Sequence, residues 1–246
     1  MKITVLTQFP EMFGPVLDSS ILGRAKEKGL LKTELVNIRD YSVDKHRKTD
    51  DAPFGGGYGM VMTPQPAFDA LKGCGAEGKR ILYMSPRGRM LDKDLACELS
   101  KEEELFILCG HYEGIDQRII DAWSMEEVSI GDYILTGGEL ASMVLIDCVA
   151  RLIPGCLSDE DAAVSESIYS GLLEYDQYTK PREFRGLNVP DVLWGGNHRL
   201  IHLWQYENAL RLTKKRRPDL FEEYVRSEKS LTKDEKKILD TVFSEY

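Results

Sequence analysis

No apolar run in this 246-residue chain reaches the ~18–20 residues that a membrane-crossing helix needs. The best candidate, residues 141–153, is interrupted by Asp147 and Arg151. The apolar stretch at residues 3–6 is cut off by Gln8, Pro10 and Glu11, short of the ~7–15 residues of a secretory h-region. These absences predict a cytoplasmic protein with no membrane association. Cysteine is scarce too. The five thiols are odd in number and form no C-x-x-C pair, which argues against a disulfide framework or a zinc ribbon. Missing as well are a Walker A loop, a G-x-G-x-x-G fingerprint and any Ser-His-Asp order. Positive charge is not in excess: the net charge is −9, which taken whole argues against a nucleic-acid partner. The distribution reverses that inference, because residues 177–246 hold 14 Lys and Arg against 11 Asp and Glu, a local net of +3. The chain is two differently charged parts, and the sum describes neither.

What is present is a repeating order of short apolar runs and helical patterns. Residues 3–7, 34–38, 80–85, 105–110 and 128–130 read as strands. Continuous apolar runs such as 80–85 and 105–110 suit a parallel sheet covered on both faces. Residues 15–28, 66–72, 92–100 and 140–152 read as helices between them, so the expected class is α/β with a mainly parallel sheet. Pro154-Gly155 ends the last of these helices. Residues 157–170 are acidic and small and read as a linker. Beyond it, residues 198–216 form a strong helical pattern with Asn197 as N-cap, and a last helix begins near Leu231 or Thr232. The expected division is 1–160, a linker at 161–176, and a helical domain at 177–246.

Four loops stand out. Residues 46–60 place His46, Arg47 and Asp50 ahead of Gly55, Gly56, Gly57 and Gly59. That composition fits a backbone cradle for a planar or phosphate-bearing ligand and fits a surface loop equally well. Tyr83-Met84-Ser85-Pro86-Arg87-Gly88, Cys109-Gly110-His111-Tyr112-Glu113-Gly114 and Ser129-Ile130-Gly131-Asp132-Tyr133-Ile134-Leu135-Thr136-Gly137-Gly138 each follow a strand. Ligands of open α/β sheets bind beyond the carboxyl ends of strands, so these three could share one pocket; singly, each is an ordinary turn. His198 and His202 are spaced i, i+4, but no third ligand accompanies them, and a plain helix face is the better reading. Lys214-Lys215-Arg216-Arg217 fits either a solvated helix end or a phosphate contact. Trp194 and Trp204 read as core.

Taken together the loops resemble the bacterial tRNA (guanine-N1)-methyltransferase family, over essentially the whole length. The resemblance extends to Phe9-Pro10-Glu11-Met12-Phe13, Ile21-Leu22-Gly23-Arg24-Ala25, Arg151-Leu152-Ile153-Pro154-Gly155, Gly171-Leu172-Leu173-Glu174-Tyr175, Tyr178-Thr179-Lys180-Pro181 and Gly196-Asn197-His198. It implies a knotted (SPOUT-type) α/β methyltransferase domain with a deep trefoil knot, followed by a small all-helical domain. It implies a homodimer with shared active sites, S-adenosylmethionine as donor, and tRNA with guanosine at position 37, 3′ of the anticodon, as substrate. Magnesium would suit such a reaction, and no residue points to a site for it. The implied donor pocket is Tyr83, Ser85, Pro86, Gly110, Tyr112, Glu113, Ile130, Gly131, Asp132, Tyr133, Ile134, Leu135, Gly137 and Gly138.

The chemistry states what else is needed. Guanine N1 carries a proton near neutral pH, so a general base must remove it while negative charge builds at O6. By position the family base falls on Glu166, where relatives carry aspartate, with Asp161 as the fallback. The family arginine falls on Arg151, placed to stabilise the charge at O6. The tRNA surface would combine Arg24, His46, Arg47, Asp50, the glycines of residues 55–59, Lys214 and Arg217. Two rival readings are a related knotted methyltransferase with another RNA target and a non-catalytic RNA-binding protein.

Overall fold

The computed structural model describes residues 1–157, 167–227 and 230–245. The chain divides into two compact units, Met1–Glu160 and Asp161–Tyr246.

The first unit is built on a five-stranded sheet. Its strands are β1 (Lys2–Thr7), β2 (Lys32–Asn37), β5 (Arg80–Met90), β6 (Glu104–Leu108) and β7 (Glu126–Ser129), in the order β2-β1-β6-β5-β7. Every pairing is parallel. Two short strands, β3 (Asp50–Asp51) and β4 (Val61–Met62), form an antiparallel hairpin that carries the glycine-rich loop. Successive strand residues point to opposite faces, and each face has its own core. Ile3, Val5, Leu82, Met84, Leu105 and Ile107 pack with Leu95 and Leu99 of α4 (Lys93–Leu99) and with Leu145, Ile146 and Val149 of α6 (Gly138–Ala150). Leu6, Ile81, Tyr83, Phe106 and Leu108 pack with Ala67, Ala70 and Leu71 of α3 (Pro64–Gly73) and with Ile119 and Ile120 of α5 (Gln117–Trp123). The uninterrupted apolar runs of the sequence are the consequence of burial on both faces.

Three local expectations are corrected. Residues 15–28 are not one helix but α1 (Gly14–Leu17) and α2 (Ser20–Glu27). Ser19 is extended at the N-cap of α2, and its hydroxyl donates to the Pro15 carbonyl oxygen at 2.8 Å, so the chain turns there. Strand β5 runs past Ser85 to Met90, with a register shift that sets both Met84 and Arg89 opposite Val128. Helix α5 had no counterpart in the periodicity. It is announced by Asp116, whose carboxylate accepts from the Arg118 amide at 2.9 Å.

In the second unit, α7 (His198–Arg216), α8 (Pro218–Arg226) and α9 (Lys233–Ser244) surround a core of Leu172, Ala209, Leu210, Phe221, Tyr224 and Val242. Asn197 caps α7 by accepting from the Leu200 amide, and Thr232 and Glu235 form a capping box on α9. Helix α8 starts with Pro218, pre-organised for a first helical position. The unit is not all-helical: β8 (Glu183–Phe184) and β9 (Leu187–Asn188) form a hairpin turned by Arg185 and Gly186, both at positive φ. Trp194 is not core either. It is 47% exposed, with the Arg182 guanidinium 4.0 Å from its ring centroid.

Candidate active site

Strand β5 and the loops beyond β6 and β7 meet around one cavity of about 350 Å³; the segment expected as a loop after β5 lies within the strand itself. Strand β5 contributes Tyr83, Ser85, Pro86 and Arg87; the loop after β6 contributes residues 110–115; the loop after β7 contributes Ile130, Gly131, Tyr133, Ile134, Leu135, Gly137 and Gly138. The predicted donor-pocket residues are therefore brought together, with one exception: Asp132 is not part of the lining. Met84, Arg87, His111, Gly114, Ile115, Gln117, Val128, Ser129 and Ala141 line the cavity as well, outside the predicted donor set. Ile115, Gln117, Val128 and Ala141 lie two to four residues from the nearest predicted position, and the others adjoin one. Gln117 opens α5 and Ala141 stands in the first turn of α6, so proximity in sequence to those loops was the available signal.

Backbone packing explains the glycines. A Cβ on Gly110 would lie 2.8 Å from the Tyr83 ring, and one on Gly137 would lie 2.3 Å from the His111 ring. The two loops are stitched where the Gly138 amide donates to the Gly110 carbonyl oxygen at 2.8 Å. The β3–β4 hairpin joins them: the Glu113 amide donates to Met60 O at 3.0 Å, and the Met62 amide donates to Gly114 O at 2.9 Å. Burial pushes the Tyr83 phenol up from its ordinary pKa, helped by the Glu127 carboxylate, so it stays a neutral wall. Burial likewise raises Cys109, whose thiol lies 3.0 Å from the Ser142 hydroxyl and is no nucleophile. At the rim Arg87 is held by Glu127 at 3.0 Å.

The cavity fits a small polar ligand with an apolar body. Its volume lies at the lower end of the ~300–1,000 Å³ range of such sites, and Ile130, Leu135 and Ala141 stand among glycines with free backbone approach. The described residues hold no cluster of three or more His, Cys, Asp or Glu that could bind a metal. His202 lies 3.9 Å from Glu235 and is part of a helix surface.

The remaining predicted residues are scattered. Arg24 is exposed on α2. His46 and Arg47 are exposed ahead of β3, with Arg47 paired to Asp40 at 2.9 Å, and Asp50 is in β3 itself. Gly55, Gly56 and Gly57 are exposed beside a fully exposed Phe54 and Tyr58, while Gly59 lies against the Glu113 carboxylate. Arg151 follows α6 at the end opposite Gly138 and is not part of the cavity lining. Lys214 donates to the carbonyl oxygens of Val242 at 2.7 Å and Phe243 at 3.2 Å, and Arg217 is bound to Asp219 at 2.9 Å. Glu166 and Asp161 lie outside the described residues.

The comparisons with known proteins bear on this geometry. The sequence model described as tRNA (Guanine-1)-methyltransferase TrmD matches residues 1–223. The tRNA (guanine-N(1)-)-methyltransferase of Ruminiclostridium cellulolyticum is 56% identical over 224 residues, covering 90% of this chain and 96% of its own. That of Alkaliphilus oremlandii is 51% identical over 252 residues, covering 99% of each. That of Clostridium perfringens strain ATCC 13124 is 50% identical over 240 residues, covering 97% of this chain and 99% of its own. A match of that length and identity, on a chain whose strand β5 and two strand-end loops close one cavity, leads to a plain conclusion: the chain belongs to the TrmD family of tRNA (guanine-1)-methyltransferases.

Proposed function

We propose that the protein transfers the methyl group of S-adenosylmethionine to N1 of the guanosine 3′ of the anticodon, position 37, in tRNA. The observation that carries the reading is the convergence of strand β5 and the loops after β6 and β7 on a single ligand-sized cavity in a chain of this family. The donor supplies a methyl group already activated on a positively charged sulfur. The protein's share is therefore position and proton removal. Ile130, Leu135 and Tyr83 provide walls, the glycine backbone lets the ligand approach closely, and the Glu113 carboxylate is the acidic group available to its amino end. Glu166 takes the N1 proton as the N1–methyl bond forms and the sulfur–methyl bond breaks; the electron pair of the broken bond stays on sulfur, leaving a neutral thioether. Arg151 stabilises the charge that builds at O6.

That division of labour supports a homodimer. Arg151 stands beyond the far end of α6, about 20 Å from Gly138 at 1.5 Å per residue, so one chain does not present both to one methyl group. A second copy would. Leu140 and Val144, each 50% exposed and one turn apart on α6, supply an apolar face for such contact. The knot is part of the same reading. Its support is that the chain leaves edge strand β7, passes the end of β5, and begins α6 hydrogen-bonded to Gly110 at the end of β6. Residues 1–160 act as the methyltransferase domain, 161–176 as the linker, and 177–246 as a tRNA-binding domain. The location is cytoplasmic, in keeping with the substrate and with the absence of a membrane-length apolar helix among the described residues.

Incubating the protein with unmodified tRNA and methyl-labelled donor, then digesting to nucleosides, tests the reading. Label in 1-methylguanosine at position 37 is expected. Label in another nucleoside would favour a different RNA target, and donor binding without transfer would favour a non-catalytic RNA-binding role.

A further inference from the structure

Glu139 is an acid in the core, 1% exposed, in the first turn of α6, and the reaction as described makes no use of it. Burying a carboxylate is costly unless its oxygens are satisfied. Both are. The Thr7 hydroxyl, at the carboxyl end of β1, donates to Glu139 Oε1 at 2.6 Å. The His111 ring contacts Glu139 Oε2 through Nε2 at 2.7 Å, with the ring N–H as donor. The chain of contacts extends outward on both sides. The Phe9 amide donates to Thr7 Oγ1 at 2.9 Å, and the Phe9 ring lies 4.9 Å from the His111 ring.

The position of this acid is what gives it a role. It ties three segments that come from different strands: the end of β1, the loop after β6, and the start of α6. Two of those three are cavity wall, since Gly110, His111, Gly137 and Gly138 all line it. His111 and Gly137 also pair as an isolated antiparallel bridge. The wall lies directly beneath the His–Glu contact: a Cβ on Gly137 would come 2.5 Å from His111 Nε2 and 2.7 Å from Glu139 Oε2. Any rearrangement of the pair is passed to the Gly137–Gly138 backbone with no flexible side chain between.

We propose that Glu139 is a positioning residue for the methyl-donor pocket, acting through His111 to hold the β6 loop and the start of α6 at the spacing the donor needs. The inference rests on the reading of the cavity as the donor site. It concerns binding of the donor, and not proton transfer or tRNA contact. Glu139→Gln keeps the shape but leaves one acceptor oxygen for two donors, the Thr7 hydroxyl and the His111 ring N–H, and sets an NH2 group against the other. Thr7→Val removes one partner and leaves the His111 contact.

Titration calorimetry with S-adenosylmethionine and steady-state kinetics on tRNA, with thermal midpoints recorded, make the test. Glu139→Gln should weaken donor affinity and raise donor KM by about tenfold, the scale of a small misplacement. Donor-saturated kcat and the KM for tRNA should stay near wild type. Thr7→Val should show the same split at smaller size. His111→Ala should add little in a Glu139→Gln background, because both act on one contact. A Glu139→Gln or Thr7→Val protein that lost thermal stability but bound the donor as wild type does would overturn the inference. The cavity reading fails separately: Ile130→Trp, which fills the pocket, should abolish donor binding, and if it does not, the donor binds elsewhere.

Discussion

Two clusters in this sequence are equally dense and end up differently. The glycine-marked loops after β6 and β7 meet strand β5 around one cavity. In the basic run that closes α7, Lys214 is taken up by the carbonyl end of α9 and Arg217 by Asp219. The difference is one of backbone against side chain. Glycines at strand ends remove bulk where chains cross, and the fold itself then decides what they enclose. A lysine or arginine carries a long stem that can reach a local acceptor, and the charge alone does not say whether that acceptor is an RNA phosphate or the protein's own helix terminus. Exposed Lys215 and Arg216, between the two occupied residues, are the better candidates for phosphate contact.

The comparison breaks most readily at the cavity. Gly137→Val would drive a side chain into the His111 ring and the cavity wall, and kcat/KM should fall by about 100-fold or more, the scale of a misplaced binding surface. A variant with near wild-type turnover would mean that the Gly137 wall does not shape the site. Of the same order or larger is Glu166→Gln, expected to lower transfer by about 10²–10⁴-fold while donor affinity holds; an unchanged rate would move the base to Asp161 or elsewhere.

The basic run gives a sharper and smaller contrast. Lys215→Ala with Arg216→Ala should weaken tRNA binding and flatten the dependence of log affinity on log salt by about one to two units of slope. Lys214→Ala should instead lower the thermal midpoint by loosening α9, with the salt slope unchanged. If Lys214 moves the slope and the other two do not, the assignment is reversed.

The smallest effect is one of pH. Glu104 is held below the usual glutamate range by Lys79 first and then Lys2, at 3.0 Å each. A carboxyl whose folded pKa is depressed stabilises the fold above its unfolded value, about 4.3, and loses that contribution as pH falls through the lower folded value. Lys79→Met should therefore shrink the drop in thermal midpoint that occurs as pH falls below about 4, and an unchanged drop would mean that Lys2 alone carries the effect.

Much of the sheet was legible because burial on both faces leaves a mark that needs no partner to interpret: residues 105–108 are apolar throughout, and β6 lies at the centre of the sheet. Helix α7 and its Asn197 cap were legible for a similarly local reason. Helix α5 was not, since its seven residues give periodicity too little length and its start depends on a single capping contact. The break at Ser19 was not legible because Leu17 and Ile21 keep an i, i+4 apolar spacing across it. At the site, the loops could be named from glycine content and strand position, but the strand order that brings them together could not. Glu139 shows the limit most clearly. Nothing in Gly-Gly-Glu-Leu distinguishes a buried acid from a first-turn acid facing solvent; Thr7, more than a hundred positions away, makes the difference.

The most direct measurement is the position of the methyl group after reaction. Unmodified tRNA, incubated with this protein and labelled S-adenosylmethionine and then mapped by nucleoside analysis and primer extension, should carry 1-methylguanosine 3′ of the anticodon and nowhere else. Methyl on another atom or another nucleotide, or none at all from a protein that binds the donor, would contradict the account.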